Sequence, residues 1–413
     1  MSKSTIVLRG ETLDDISTRL YGVKSAARQL QRANPGLSAI LTEGAELFVP
    51  KQAGVGTVTP NVTSFSGSPE QVNLTIDGVD FTDWDSITIT RSIDTTPIVT
   101  VNAPWEPANL DFRQRVKPFG FQEMIANVGG AVLFTGVMLG SNPSSSGTAS
   151  KVVTSGYGIT GVLNDCTMPS SAFPIEYNGL NLEEIARDLC EPFGIDVVFE
   201  GAAGNSFDKV SLNETDKIMQ FLSKLAKQRN FVISETVDGE LWFLKSTEGG
   251  EPVAVLTSGE SPVFEISAGF DPQQYYSHVT GIAPTTSEDG EGAQVTKPNP
   301  HVTGVLRPLT FQVDDSKNES LTDAVDTKIA RMFANMASWS VSVPTWLDAT
   351  GALWEPNTTV EVTAPHAMIY NQTELLVRSV EFNASGGART AKLNLVMVGA
   401  FAGIIPEALP WVE

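Results

Sequence analysis

Hydrophobic positions change period several times along the chain, and each change marks a unit. Thr5-Ile-Val-Leu8 reads as a short strand. Leu13, Ile16 and Leu20 then recur at helical spacing, with Thr12 placed to cap the helix and Asp14 and Asp15 in its first turn, where the helix dipole favours acids. Tyr21-Gly22 ends it. A second helix over 25–33 is stopped by Asn34-Pro35-Gly36, and Glu46-Leu-Phe-Val49 is a closing strand. Residues 1–53 are thus a β-α-α-β unit. Residues 54–71, rich in Gly, Ser, Thr and Pro and without apolar periodicity, are a linker.

From Val72 the period becomes two. Val72, Leu74 and Ile76 alternate with polar residues, Asp77-Gly78 is a two-residue hairpin signal, and Ser86–Thr90, Ala131–Met138 and Lys151–Thr154 continue the β pattern across 72–164. Residues 165–257 are mixed. Asn181 and Glu184 have the spacing of a capping box ahead of Leu182, Ile185, Ala186 and Leu189. Ile195–Phe199 is a strand, 215–229 a second amphipathic helix, and Phe231–Glu235 and Glu240–Leu244 a hairpin across Asp238-Gly239. Over 258–413 the pattern is β again, with an exposed loop expected at 284–300, an inserted helix at about 321–338, and strands at Thr359–Thr363, Leu375–Phe382 and Ala391–Val398. The fold class expected is multidomain and mainly β, with an α/β insert and a small N-terminal β-α-α-β module.

Charge sharpens the picture. The formal net charge is −21, yet residues 1–53 hold seven Lys/Arg against five Asp/Glu. All the net acidity therefore lies in the remaining 360 residues. An acidic body argues against phosphate-mediated nucleic-acid binding and suits a surface that repels DNA, although acidity also simply keeps proteins soluble. No stretch approaches the roughly 20 apolar residues of a membrane span, and the N-terminus lacks the pattern of a secretion signal, so folding in a cytoplasm is expected. The two cysteines, Cys166 and Cys190, form no C-x-x-C pair and read as buried small hydrophobes rather than a disulfide or metal site.

The N-terminal unit resembles the LysM module through Gly10-Glu-Thr-Leu, Ile16, Tyr21-Gly22, Ala33-Asn34-Pro35, Leu37, Ile40, Gly44, Leu47 and Val49-Pro50. The resemblance implies a shallow groove made by Gly10, Thr12, Leu13, Asp14, Asn34, Pro35, Gly36, Leu37 and Ile40. Such grooves bind N-acetylglucosamine polymers, and in phage tails the module also serves as an assembly adaptor; peptidoglycan binding and assembly both stay open. The rest, over about 72–402, resembles the late-control-protein-D and Mu-type hub family of contractile-tailed phages. The carriers are Val72–Gly78 with Ile87–Ser92, Ser155–Cys166, Asn181–Ile195, Phe221–Ile233 followed by Asp238-Gly-Glu-Leu, Gly351–Asn357 and Leu393–Phe401, in the family's order. That resemblance implies two tube-like β-barrel domains per chain. It implies a homotrimeric, pseudo-sixfold baseplate ring joining the tail tube protein to the central spike protein, beside neighbouring baseplate proteins. DNA would pass through the lumen without specific binding, and the chain would sit in the virion tail after assembly in the host cytoplasm. A structural, non-enzymatic chain with no cofactor and no metal is expected.

Signals of chemistry weigh little against this reading. Gly156-Tyr-Gly158-Ile-Thr-Gly161 fits G-x-G-x-x-G after a strand, but Pro169 and Pro174 forbid the long helix that a dinucleotide site needs. His278, His301 and His366 lack metal-ligand spacing. Glu183-Glu184 and Asp314-Asp315 sit at helix starts, where acids are expected on dipole grounds. Trp339, Trp346 and Trp354 suit a barrel core or subunit interface better than a glycan platform. The competing reading is a LysM-targeted peptidoglycan-binding protein or cell-wall hydrolase.

Overall fold

The computed structural model describes residues 3–6, 12, 13, 16, 19, 46–49, 71–147, 149–283, 294–313 and 318–412. At the N-terminus β1 (Lys3–Ile6) pairs antiparallel with β2 (Glu46–Val49), Lys3 opposite Val49. A helical hydrogen bond runs from the Ile16 N–H to the Thr12 carbonyl at 3.0 Å, and Ile16 and Leu47 are buried.

The body is dominated by antiparallel β-sheet. Its first part comprises β3 (Val72–Ile76), β4 (Val79–Asp80), β5 (Ser86–Ser92), β6 (Ile98–Pro104), β7 (Glu123–Val128), β8 (Ala131–Ser145) and β9 (Ser150–Gly158), with a short helix α1 (Leu110–Arg115). The hairpin expected at Asp77-Gly78 is present, both residues taking positive φ, as a primed two-residue turn requires. Strands β6 and β7 were not expected, although both alternate cleanly between buried and half-buried positions.

A mixed segment follows. β10 (Ile175–Tyr177) awaits β12 further along. α2 (Leu182–Cys190) begins with the expected capping box: Asn181 Oδ1 accepts from the Glu184 N–H at 3.0 Å and Glu184 Oε2 accepts from the Asn181 N–H at 2.8 Å. β11 (Val197–Phe199) precedes β12 (Val210–Leu212), which pairs with β10. α3 (Ile218–Gln228) starts three residues after the expected position. β13 (Val232–Glu235) and β14 (Leu241–Leu244) form the expected hairpin, and β11 adds to β14 in parallel. Leu182, Ile185, Leu189, Ile218, Leu222 and Leu225 pack into a core of their own with Phe207 and Phe243.

The remaining strands are β15 (Val255–Thr257), β16 (Glu265–Phe270), β17 (His278–Ile282), β18 (Gln294–Pro298), β19 (Pro308–Gln312), β20 (Ala337–Val343), β21 (Thr359–Ala364), β22 (Ile369–Ser385) and β23 (Ala388–Met397), with α4 (Asn318–Met336) running directly into β20. The loop expected over 284–300 needs correction at its end. Residues 294–298 form β18, which pairs with β17 and carries Lys297 in an ion pair with Asp326 at 2.6 Å; its Pro and Thr hid an alternating pattern. Residues 284–293 lie outside the described residues.

The two β-rich parts share one 13-stranded sheet in the order β16-β20-β23-β22-β5-β6-β9-β8-β7-β3-β4, with β21 on β22 and β15 on β21. The join is β5 on β22, registered from Ser86 opposite Ser385 to Ser92 opposite Ser379, with Thr88 Oγ1 donating to Asn383 Oδ1 at 2.8 Å. One apolar cluster runs through both parts, from Leu74 to Leu409. Among the described residues no helix is long and apolar enough to cross a membrane.

Candidate functional site

The glycine-rich turn after β9 is where the structure says most about chemistry. Its backbone amides do point at an anion, but the anion belongs to the chain. Glu235, on the last position of β13 and 2% exposed, takes hydrogen bonds from the Ile159 N–H at 2.9 Å, the Thr160 N–H at 3.0 Å and the Thr160 hydroxyl. Burial pushes its carboxyl up to about 7, against the pull of those donors and of the Arg91 guanidinium, which favour the charged form. The three glycines are explained by close approach. A Cβ on Gly158 would collide with the Glu235 carboxylate, one on Gly156 with the Val137 carbonyl, and one on Gly161 with the Tyr157 ring. The helix expected to be impossible here is reduced to a 3₁₀ turn over Ile159–Gly161 and one α-turn over Val162–Asp165.

Beside this contact, the Ser234 hydroxyl donates to the Ser92 carbonyl at 2.6 Å. The Ser92 hydroxyl donates to Asp94 at 2.7 Å, and Asp94 meets Arg378 on β22, whose Nη2 lies 2.7 Å from Oδ2. A polar strap therefore links β13, the end of β5 and β22. Each member has its partner within the chain, so the arrangement fixes three segments against one another and presents no free acid–base pair to a substrate.

The other sequence candidates fall as follows. Of the residues given to the LysM groove, Thr12 is exposed and Leu13 half-buried; Gly10, Asp14, Asn34, Pro35, Gly36, Leu37 and Ile40 lie outside the described residues, as do Asp314 and Asp315. Glu184 is consumed by the capping box, and Glu183 pairs with Arg187 one turn on at 2.7 Å. Trp339, Trp346 and Trp354 are all buried, and each indole N–H donates to a main-chain carbonyl: Ala367 at 2.9 Å, Thr390 at 3.0 Å with Asn383 at 3.2 Å, and Thr345 at 3.2 Å. They are core, with no ring face for a sugar. His278 contacts the Ser277 hydroxyl and His301 the Pro406 carbonyl, while His366 stands on a separate turn after β21. Among the described residues no cluster of three His, Cys, Asp or Glu could hold a metal. Cys190 is buried as expected, and burial pushes its thiol up to about 12. Cys166 is only half-buried, because it caps the Val162–Asp165 turn at the edge of its core.

Sequence reasoning missed two things. Glu235 carries no motif, since its partners are 75 residues or more away. It also missed a basic cleft between α3 and α4, hidden by the acidity of the chain as a whole.

Comparison with known proteins bears on the whole body. Residues 160–245 match the family described as "Baseplate hub protein gp44-like, second domain". The chain is 25% identical over 344 residues to the baseplate hub protein gp44 of Escherichia phage Mu, covering 77% of this chain and 86% of that protein. Its fold is that of the 43 kDa tail protein of prophage MuSo2 from Shewanella oneidensis (22% identity, TM-score 0.68, covering 80% of this chain and 99% of that one). It is likewise that of a tail protein from Neisseria meningitidis MC58 (18% identity, TM-score 0.69, covering 81% and 99%). The matched segment 160–245 contains the Gly158–Gly161 turn from Thr160 onward, both helices α2 and α3, and Glu235.

Proposed function

We propose that this chain is the structural hub of a contractile phage-type baseplate, working as a homotrimer. The observation that carries the reading is the similarity to a baseplate hub protein along most of both chains. Two β-rich parts flank an α/β segment in each chain. Read as two tube-like domains, they give a ring of three chains six comparable units, which matches a sixfold tail tube on one side to a threefold spike on the other. A closed ring needs its units held rigidly, and the Glu235 and Asp94–Arg378 contacts do this within each chain. The acidic body suits a conduit wall that DNA passes without sticking. The role is non-enzymatic, located in the virion tail, with the tube, spike and neighbouring baseplate proteins as partners. Domain limits of 1–53, 72–164, 165–257 and 258–413, with 54–71 as linker, are part of the same proposal.

Light scattering tests it. The expected mass is three times that of the 44.2 kDa chain. A chain that stays monomeric at high concentration, alone and with its tube and spike partners, overturns the reading. The N-terminal unit, whose paired end strands and buried Ile16 and Leu47 suit a LysM fold, is proposed as an assembly adaptor. Retention of residues 1–53 by peptidoglycan in a pull-down would instead assign it to the cell wall.

A further inference from the structure

A cleft of about 870 Å³ opens between α3 and α4. Lys209, Lys224, Lys227, Lys328, Arg331 and Arg378 line it, against the carboxylates Asp94 and Asp216. This concentration of positive charge occurs in a chain of formal net charge −21. Part of it is neutralised from within: Arg378 pairs with Asp94 at 2.7 Å and Lys209 with Glu176 at 3.0 Å, while Asp216 accepts from the Asn213 side chain at 2.8 Å. Lys227, Lys328 and Arg331, at the centre of the lining, have no carboxylate paired to them in this way among the described residues.

The cations also crowd one another. Although solvent reaches Lys227 and Lys328, the cleft walls strip water from both ammonium groups, and Arg331 beside them lowers their pKa values further. Arg331 is deeper. Its Nη2 donates to the Phe231 carbonyl at 2.7 Å, while its buried Nε has no acceptor. Burying a cation without full pairing costs free energy, and the folded chain keeps this one in place. Such an arrangement fits a cleft that receives negative charge from outside.

The lining selects among anions. A lone phosphate fills a small fraction of this volume. Phe221, Phe311 and Phe401 add apolar wall, with the Arg331 and Arg378 guanidinium groups 5.6 and 5.4 Å from the centre of the Phe401 ring. Gln220, Gln274 and Gln312 add side-chain amides able to meet a peptide backbone. We propose that the α3–α4 cleft is the docking site for a carboxylate-rich peptide segment of a partner protein, its acids meeting Lys227, Lys328 and Arg331 and its apolar side chains meeting the phenylalanines. Calling that partner a tail protein rests on the hub reading; the binding itself does not.

The probe is a fluorescein-labelled decapeptide of alternating Glu and Leu, titrated into the full chain and followed by anisotropy. Saturable binding is expected, weakened at least tenfold in K227Q/K328Q and by added salt. Circular dichroism of that double variant, whose two positions are solvent-exposed, confirms that it is folded. Binding that is absent, or equal in wild type and K227Q/K328Q, overturns the proposal. So does stronger binding of a labelled oligodeoxythymidylate or of inorganic tripolyphosphate than of the peptide, since either would make the cleft a phosphate site. Light scattering on the same samples reports self-association separately, so a monomer that binds the peptide sinks the hub reading while leaving the cleft intact.

Discussion

Replacing Glu235 by Gln removes one ionisation and changes one hydrogen-bond pattern, and the two effects separate by pH. The amide keeps one acceptor oxygen but turns an NH₂ group towards a main-chain N–H of the 159–160 turn. A buried donor left facing a donor costs about 1–3 kcal/mol at any pH. The ionisation effect is pH-dependent. The Glu235 carboxyl titrates at about 7 in the folded chain against an ordinary 4.5. With the folded value raised, the folded state holds the proton more tightly. The associated stability is complete below the unfolded value and is lost as pH rises through about 7. Integrated from about pH 5 to about pH 8, the loss is about 2.5 kcal/mol. Wild type should therefore lose that much stability over this range while Glu235→Gln does not. The gap between them, largest in acid, should narrow by about 2.5 kcal/mol towards alkaline pH. Urea unfolding of both proteins, followed by tryptophan fluorescence at several pH values with equal m-values, measures it. A gap that stays constant within about 0.5 kcal/mol, or widens with pH, refutes the assignment of Glu235 as a buried group titrating near neutrality.

Gly158→Ala should destabilise by about 3 kcal/mol, because the new methyl collides with a carboxylate that three hydrogen bonds hold in place; the urea midpoint reads it, and an unchanged midpoint would mean that the turn relaxes freely. Asn181→Ala should cost about 1 kcal/mol through loss of the capping box on α2, seen as faster amide exchange in the first turn of that helix. Ellman's reagent on the native chain should modify Cys166 and spare Cys190, which reacts only after unfolding, because it is buried and its thiol is pushed up to about 12; peptide mapping by mass spectrometry distinguishes the two.

What could be read from the chain beforehand is what neighbours in sequence decide. The Asp77-Gly78 hairpin and the Asn181/Glu184 capping box each depend on residues no more than three apart, and both stand as expected. β20 escaped because nothing separates it from α4. Met336 ends the helix and Ala337 starts the strand, with no Gly or Pro between, so the sequence pattern alone carries the helix on to Ser338. β18 escaped because its pairing partner β17, and not its own composition, makes it a strand.

The same rule governs the sites. The glycine motif was visible as spacing, yet the use the structure shows for it, receiving Glu235, depends on a strand 75 residues on. Asp94 and Arg378 are separated by 284 positions, and no local pattern joins them. The basic cleft is harder still, because its six cations come from the segment around β12, α3, α4 and β22, each unremarkable in an acidic chain. Net charge describes a surface only on average. An assembly protein works through patches that differ from that average, and a patch built from four distant segments exists only once the helices are packed. The −21 of this chain therefore argues against non-specific contact with DNA, while the cations lining the cleft between α3 and α4 give acidic segments a local attraction that the average charge conceals.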